Sequence, residues 1–339
     1  MREYRVAVIP GDGIGKEVIA AGLEVLRALE ERCGDFRLRI ETFPWGSDYY
    51  RATGRMMPDD GLDILHGFDA IYFGAVGDPE IPDDVTLWGL RLRICQGFDQ
   101  YANVRPARIL PGIESPLRNT KPGDLDWIIV RENSEGEYAG HGGRSREIAT
   151  ETAVFTRAGI TRIMRFAFEL ARSRSRKQLA VITKSNAQRY GLVVWDEIAR
   201  EVASGFPDVA VERILVDAAA ARMVTKPRSF DVLVATNLHA DILSDLAGAL
   251  MGGLGLASSA NLNPERQFPS MFEPVHGAAF DIAGKGIANP IGAFWSAVLM
   301  LEHLGEREAA ARLMTALERA SGLRWTKTSE FTGALCGAL

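Results

Sequence analysis

Short runs of β-branched residues alternate with longer helical patterns along a chain of 339 residues, and no other feature restricts its fold as much. Apolar runs at residues 5–9, 37–43, 70–73, 103–110, 127–131, 179–183, 209–215 and 232–235 read as strands. Helical periodicity lies between them, most clearly at residues 157–173, 192–203, 241–251 and 306–320. Near the N-terminus, Val18, Ile19, Leu23, Val25, Leu26 and Leu29 keep a similar period. Such alternation predicts an α/β protein whose mostly parallel sheet is covered on both faces. The length is about twice that of a typical domain, so two lobes or one large unit are expected. Apolar runs at 246–260 and 287–301 are interrupted by Gly, Pro, Ser or Asn and fall short of the roughly 20 residues of a membrane span. They are expected to be core. The first residues enter a strand with no signal-peptide pattern, and Cys33, Cys95 and Cys336 are spaced for neither disulfides nor zinc. A cytoplasmic protein is expected, with no membrane association. Lys and Arg total 39 against 44 Asp and Glu, a net charge of −5 that argues against nucleic acid as the main partner.

The chain holds 34 glycines, above the usual share of about 7%. The first cluster, Pro10-Gly11-Asp12-Gly13-Ile14-Gly15, follows a strand and opens a helix, a layout able to present N–H groups to phosphate. Its spacing is neither the dinucleotide fingerprint nor a P-loop, because Glu17 stands where a P-loop needs Ser or Thr. A tight strand–helix turn and a nucleotide-contacting loop both fit. In Thr236-Asn237-Leu238-His239-Ala240-Asp241-Ile242-Leu243-Ser244-Asp245, two aspartates stand four apart. That spacing places both carboxylates on one helical face, where they can converge on a hard cation. Asp217 lies at the carboxyl end of another strand, where α/β sheets place ligands. Three acids without a Cys or His cluster favour Mg²⁺ or Mn²⁺, while helix-start acids in the macrodipole field are the plainer reading. Arg93, Arg105 and Arg131 cluster around strand-like segments and suggest a small polyanionic substrate. Lys184 follows a strand and suits a general base, or else a salt-bridged edge position.

Together and in this order, these motifs resemble the β-decarboxylating hydroxyacid dehydrogenases, the isopropylmalate, isocitrate and tartrate/D-malate dehydrogenases. The resemblance runs from Pro10–Gly15 through Asn237–Asp245 to His276–Pro290. It implies a two-lobed α/β fold with a large mixed, mostly parallel sheet, distinct from the Rossmann fold. The first lobe would comprise residues 1–99 and 254–339, and the second residues 100–253, with a β-arm at about 133–152 clasping a partner in a homodimer. It implies Asp241 and Asp245 as metal ligands, with Asp217 as a third from the other subunit. Lys184 would cross the interface as the base for the substrate hydroxyl, and Tyr138 would protonate carbon after CO₂ leaves. Arg105 and Arg131 would clamp substrate carboxylates. The family's third arginine lies ten residues before the first of these, where this chain has Cys95, and Arg93 is the nearest substitute. Ile14, Asn186, Glu273, His276, Gly277, Ala278, Asp281, Ala288 and Asn289 match the family's cofactor-binding positions, although Ala278 replaces a usual Ser or Thr and Phe280 a usual Pro. Asp281 would accept from ribose hydroxyls and repel a 2′-phosphate, so NAD⁺ is implied.

The segments Arg131-Glu132-Asn133-Ser134-Glu135-Gly136-Glu137-Tyr138 and Gly97–Pro106 resemble the tartrate/D-malate branch most, and bulky Trp88 suits a C4 acid. The expected reaction is NAD-dependent, metal-dependent oxidative decarboxylation of D-malate, with tartrate as a further substrate and a possible K⁺ requirement. A 3-isopropylmalate dehydrogenase, a metal-dependent phosphoryl-transfer enzyme and a catalytically silent binding protein are the alternatives.

Overall fold

A computed structural model describes residues 1–339. In chain order the strands are β1 (Arg2–Gly11), β2 (Phe36–Thr42), β3 (Ala70–Ala75), β4 (Ala102–Arg108), β5 (Asp126–Glu132) and β6 (Gly136–Arg144). They continue as β7 (Ala149–Val154), β8 (Gln178–Thr183), β9 (Ala210–Leu215), β10 (Val232–Ala235), β11 (Ser258–Leu262) and β12 (Ser270–Pro274). The chain divides into two compact units. The first holds Met1–Gln100, Leu110–Glu114 and Gly252–Leu339, and the second holds Tyr101–Ile109 and Ser115–Met251. Sheet structure is mixed and mostly parallel in each. The first unit runs β2-β1-β3-β12-β11, antiparallel only between β12 and β11. The second runs β4-β5-β10-β8-β9, antiparallel only between β4 and β5. No helix is long and apolar enough to cross a membrane.

Every residue of β3 and β10 is buried, as strands covered by helices on both faces require. Helix Arg157–Ser173 shows how the cover is built. Thr156 caps it by accepting from the Gly159 N–H, and Ile160, Ile163, Met164, Ala167, Phe168 and Ala171 form its buried stripe. Phe168, fully buried, contributes roughly 2–3 kcal/mol by leaving water. The chain leaves the helix at Arg174, which is extended. Helix Ile291–Leu304 is buried around nearly its whole circumference and ends at Gly305, whose φ of 89° suits glycine.

β11 and β12 were not expected from periodicity. Ser258, Ser259 and Asn261 are fully buried, so small polar residues carry a strand that an apolar pattern cannot announce. The helix expected to start near residue 241 begins at Asn237, one turn earlier. Asp241 therefore lies beyond the first turn, where the macrodipole has little hold on it. The arm is the β6–β7 hairpin, antiparallel and exposed along most of its length.

The N-terminal glycines permit close backbone approach. A Cβ on Gly13, whose φ is +51°, would stand 1.9 Å from the Ala278 carbonyl oxygen. Next to it, the Ile14 N–H donates to that same oxygen at 2.8 Å. Gly13→Ala should therefore cost at least about 2–3 kcal/mol of stability through strain and displacement of the 276–281 loop. Urea unfolding measures this, and a variant matching wild type would contradict the account.

Candidate active site

β4 and β5 pair so that Asn103 lies opposite Arg131, and Arg105 is two residues further along β4. Opposed residues of an antiparallel pair share a face, as do i and i+2, so both guanidinium groups project to the same side. Both arginines are buried, Arg105 to 6% exposure and Arg131 to 2%. A buried guanidinium needs acceptors, and helix Asn237–Leu250 supplies them from positions 237, 241, 244 and 245, which share one helical face. Arg131 Nε donates to Asn237 Oδ1 at 2.8 Å, and its Nη1 donates to Asp241 Oδ1. Arg105 Nη1 donates to Ser244 Oγ at 2.6 Å and to Asp241 Oδ1 at 3.2 Å, with Asp245 Oδ1 at 3.7 Å. Its Nε donates to Asn103 Oδ1 at 2.9 Å.

Tyr138, near the start of β6, donates its hydroxyl to Asp241 Oδ2 at 3.0 Å, and the Arg131 guanidinium sits 5.1 Å from its ring centroid. Asp241 thus binds three groups from three strands. Burial pushes the Asp245 carboxyl above its ordinary range and nearby Asp241 adds to this, while Arg105 and Arg131 oppose it. Two carboxylates one turn apart, one of them destabilised as an anion, fit a hard divalent cation. No third His, Cys, Asp or Glu of the same chain joins this pair in a ligand cluster.

Lys184 and Asp217 form a second group. β8 and β9 run parallel with Thr183 beside Leu215, so the residues that follow emerge side by side. Lys184 Nζ lies 2.6 Å from Asp217 Oδ1 and holds that exposed carboxyl below its usual range. Asn186 is exposed in the turn after Lys184.

The remaining sequence candidates lie in the first unit. Glu273 ends in a buried position on β12, and His276 is 8% exposed with its Nε2 buried and unpartnered. Its Nδ1 lies 3.0 Å from the Gly277 carbonyl oxygen. A Cβ on Gly277 would meet nothing within 4 Å, so this backbone is open to a ligand. Ala278 and Ala288 are buried, Asp281 is exposed, and Ala279 takes a positive φ of 41°. Asn289 Oδ1 accepts from the Ile291 N–H at 3.1 Å, and the Ala288 carbonyl accepts from Thr328. An unpartnered ring nitrogen, an open glycine and an exposed acid suit a nucleoside.

Ile14 packs its side chain in the core and meets this loop through its N–H. The N–H groups of Asp12, Ile14 and Gly15 are taken by Ala75, Ala278 and Asp12 oxygens, and the Asp12 carboxylate holds Ser47 and Gly77. These bonds make the glycine cluster a strand–helix turn that braces the 276–281 loop. Arg93 donates to the Asp59 carbonyl at 2.8 Å and is half-buried, whereas Arg91 is the buried arginine of that segment. Trp88 is 37% exposed. Sequence reasoning missed Asn103, Asn237 and Ser244. The signal was available, since each shares a strand or helix face with a residue that had been singled out.

Residues 5–333 match the isocitrate/isopropylmalate dehydrogenase family model. The chain belongs to the isocitrate/isopropylmalate dehydrogenase family. A probable tartrate dehydrogenase/decarboxylase from Agrobacterium vitis is 66% identical over 100% of this chain and 98% of its own. The D-malate dehydrogenase [decarboxylating] of Escherichia coli is 51% identical over 90% and 86%. The crystal structure of an isocitrate dehydrogenase from Methylococcus capsulatus superposes with a TM-score of 0.89 at 35% identity, covering 99% of both chains. Family membership agrees with the mixed, mostly parallel sheet.

Asn237 ties Arg131 to the loop that leads into β6, because its Nδ2 also donates to the Glu135 carbonyl at 3.0 Å. Asn237→Ala leaves a buried guanidinium nitrogen without its acceptor and should lower unfolding free energy by about 1–3 kcal/mol. Chemical denaturation at pH 7 checks it, and an unchanged midpoint would contradict the assignment.

Proposed function

We propose that the chain catalyses NAD⁺-dependent, divalent-metal-dependent oxidative decarboxylation of (2R)-malate to pyruvate, CO₂ and NADH, with tartrate as a further substrate. The carrying observation is the Arg105–Arg131–Asp241–Asp245–Tyr138 cluster. Two arginines balance two aspartates there, so a divalent cation and a dicarboxylate can enter together without leaving net charge buried. The names of the relatives from Agrobacterium vitis and Escherichia coli support the same substrates.

In this reading Arg105 and Arg131 turn from Asp241 to the substrate carboxylates, their planar forks fixing its orientation. Asp241 and Asp245 hold Mg²⁺ or Mn²⁺, which when bound supplies positive charge at the C2 oxygen, where negative charge develops. Lys184 Nζ would take the proton of the C2 hydroxyl, and NAD⁺ when bound would supply the hydride acceptor. After loss of CO₂, the Tyr138 hydroxyl delivers a proton to C3. Glu273, His276, Gly277 and Asp281 hold the adenosine side of NAD⁺, the Asp281 carboxylate disfavouring a 2′-phosphate.

Lys184 and Asp217 lie together but form no bond with the arginine cluster of their own chain, which supports a homodimer in which each subunit lends this pair to its partner. Exposed apolar side chains of the second unit, Ile148 on the arm, Tyr190, Val224 and Ile242, support the same assembly. A two-stranded hairpin exposed like β6–β7 is marginal by itself and gains stability when covered.

With NAD⁺ and Mn²⁺, D-malate should give NADH with the highest kcat/KM among D-malate, tartrate, 3-isopropylmalate and isocitrate. A higher value for 3-isopropylmalate would overturn the substrate assignment. Shared sites have a second consequence. Lys184→Ala and Asp245→Asn proteins should each be inactive, yet unfolding and refolding them as a mixture should restore up to about a quarter of wild-type activity, because half the dimers then carry one intact site. No recovery from refolded mixed dimers would place Lys184 in the site of its own chain.

A further inference from the structure

Arg91 is the last residue of Leu87–Arg91, a π-helical turn, and it is only 9% exposed. π-turns are rare and recur at functional sites, where they redirect a side chain. Here the guanidinium meets the end of β12. Arg91 Nε donates to Glu273 Oε1 at 2.8 Å, and Nη2 lies 2.7 Å from the same oxygen. Asn261 on β11 donates to it as well, at 2.7 Å, and receives Arg91 Nη2 at 3.4 Å. The β11–β12 register sets Ser259 opposite Glu273, which puts Asn261 diagonally across on the same face.

All three donors converge on Glu273 Oε1, and Oε2 takes no protein hydrogen bond. The Glu273 side chain is 6% exposed. A buried ion pair adds little net stability compared with a well-packed apolar pair, so stability alone does not account for it. What the pair does provide is orientation. A carboxylate bound by three donors on one oxygen cannot rotate freely, and its second oxygen is held in one direction as an acceptor. Arg93, two residues on, does nothing comparable: it reaches the Asp59 carbonyl.

We propose that Arg91 is a positioning residue for the cofactor, fixing Glu273 so that Oε2 accepts from a ribose hydroxyl of NAD⁺. The proposal rests on the reading above that the segment from Glu273 to Asp281 binds NAD⁺. It assigns Arg91 to the cofactor and not to the acid substrate.

The test compares wild type, Arg91→Lys, Glu273→Gln and the double variant, each confirmed as folded by thermal melting and circular dichroism. Calorimetric titration with NAD⁺ alone, without acid, comes first. Arg91→Lys keeps the charge but loses the Nε contact, and should weaken NAD⁺ binding about tenfold. The KM for NAD⁺ should rise by a similar factor, while the KM for D-malate stays within about threefold. The double variant should be no weaker than the weaker single variant, since both act through one oxygen. If Arg91→Lys does not fold, Asn261→Ala, which removes one donor and leaves the ion pair, should show the same split at smaller amplitude. An unchanged NAD⁺ affinity in these variants, or an increase confined to the KM for D-malate, would overturn the proposal. Wild type failing to bind NAD⁺ would instead overturn the cofactor reading on which it rests.

Discussion

The shared carboxylate of Asp241 organises the second unit. Arg105 and Arg131 are drawn inside by their strands, and unpaired guanidinium groups at such depth would each cost several kcal/mol. Asp241 answers both, and Tyr138 as well, from a single helical position. One side chain therefore links β4, β5, the base of the arm and helix Asn237–Leu250. About one turn to either side, Asn237 accepts from Arg131 Nε and Ser244 from Arg105 Nη1. The same helical face then offers Asp245, whose carboxyl meets Arg105 only at 3.7 Å. Under the proposed function this is a useful imbalance, because a cation relieves Asp245 while a dicarboxylate substitutes for Asp241 at the arginines.

Glycine serves the first unit in a different way. Gly13 lets the first turn lie against the backbone of the 276–281 loop, and the Ile14 N–H makes the bond that this approach allows. Phosphate-cradle glycines and packing glycines look alike in a sequence. They differ in what the N–H groups of their turn face, and here those of Asp12, Ile14 and Gly15 face protein oxygens. The turn supports the loop proposed to hold NAD⁺, and Asp12 ties it to Ser47 and Gly77.

Much of the candidate site was legible because its chemistry is periodic. Asp241 and Asp245 declare a shared helical face, and Lys184 and Asp217 each follow an apolar strand. Arg105 and Arg131 stand in strands too apolar for a solvated charge. Arg93 is the sequence candidate because it stands nearest to position 95, and that spacing carries no sign of the π-turn in which Arg91 is buried. β11 was hidden for another reason: its Ser258, Ser259 and Asn261 are polar yet fully buried, and burial of that kind leaves no hydrophobic period.

The sequence by itself determined the α/β alternation, the residue types of the site and the helical and strand faces on which they stand. These follow from local geometry, where 3.6-residue and two-residue periods act within a few positions. Only the tertiary structure decided which charges meet. Arg105 and Asp241 are 136 residues apart, and Arg91 and Glu273 are 182. Any of the arginines could in principle have paired with any acid. Strand register and helix placement made the choice, because a buried charge tolerates only the partner that backbone geometry brings within hydrogen-bond reach.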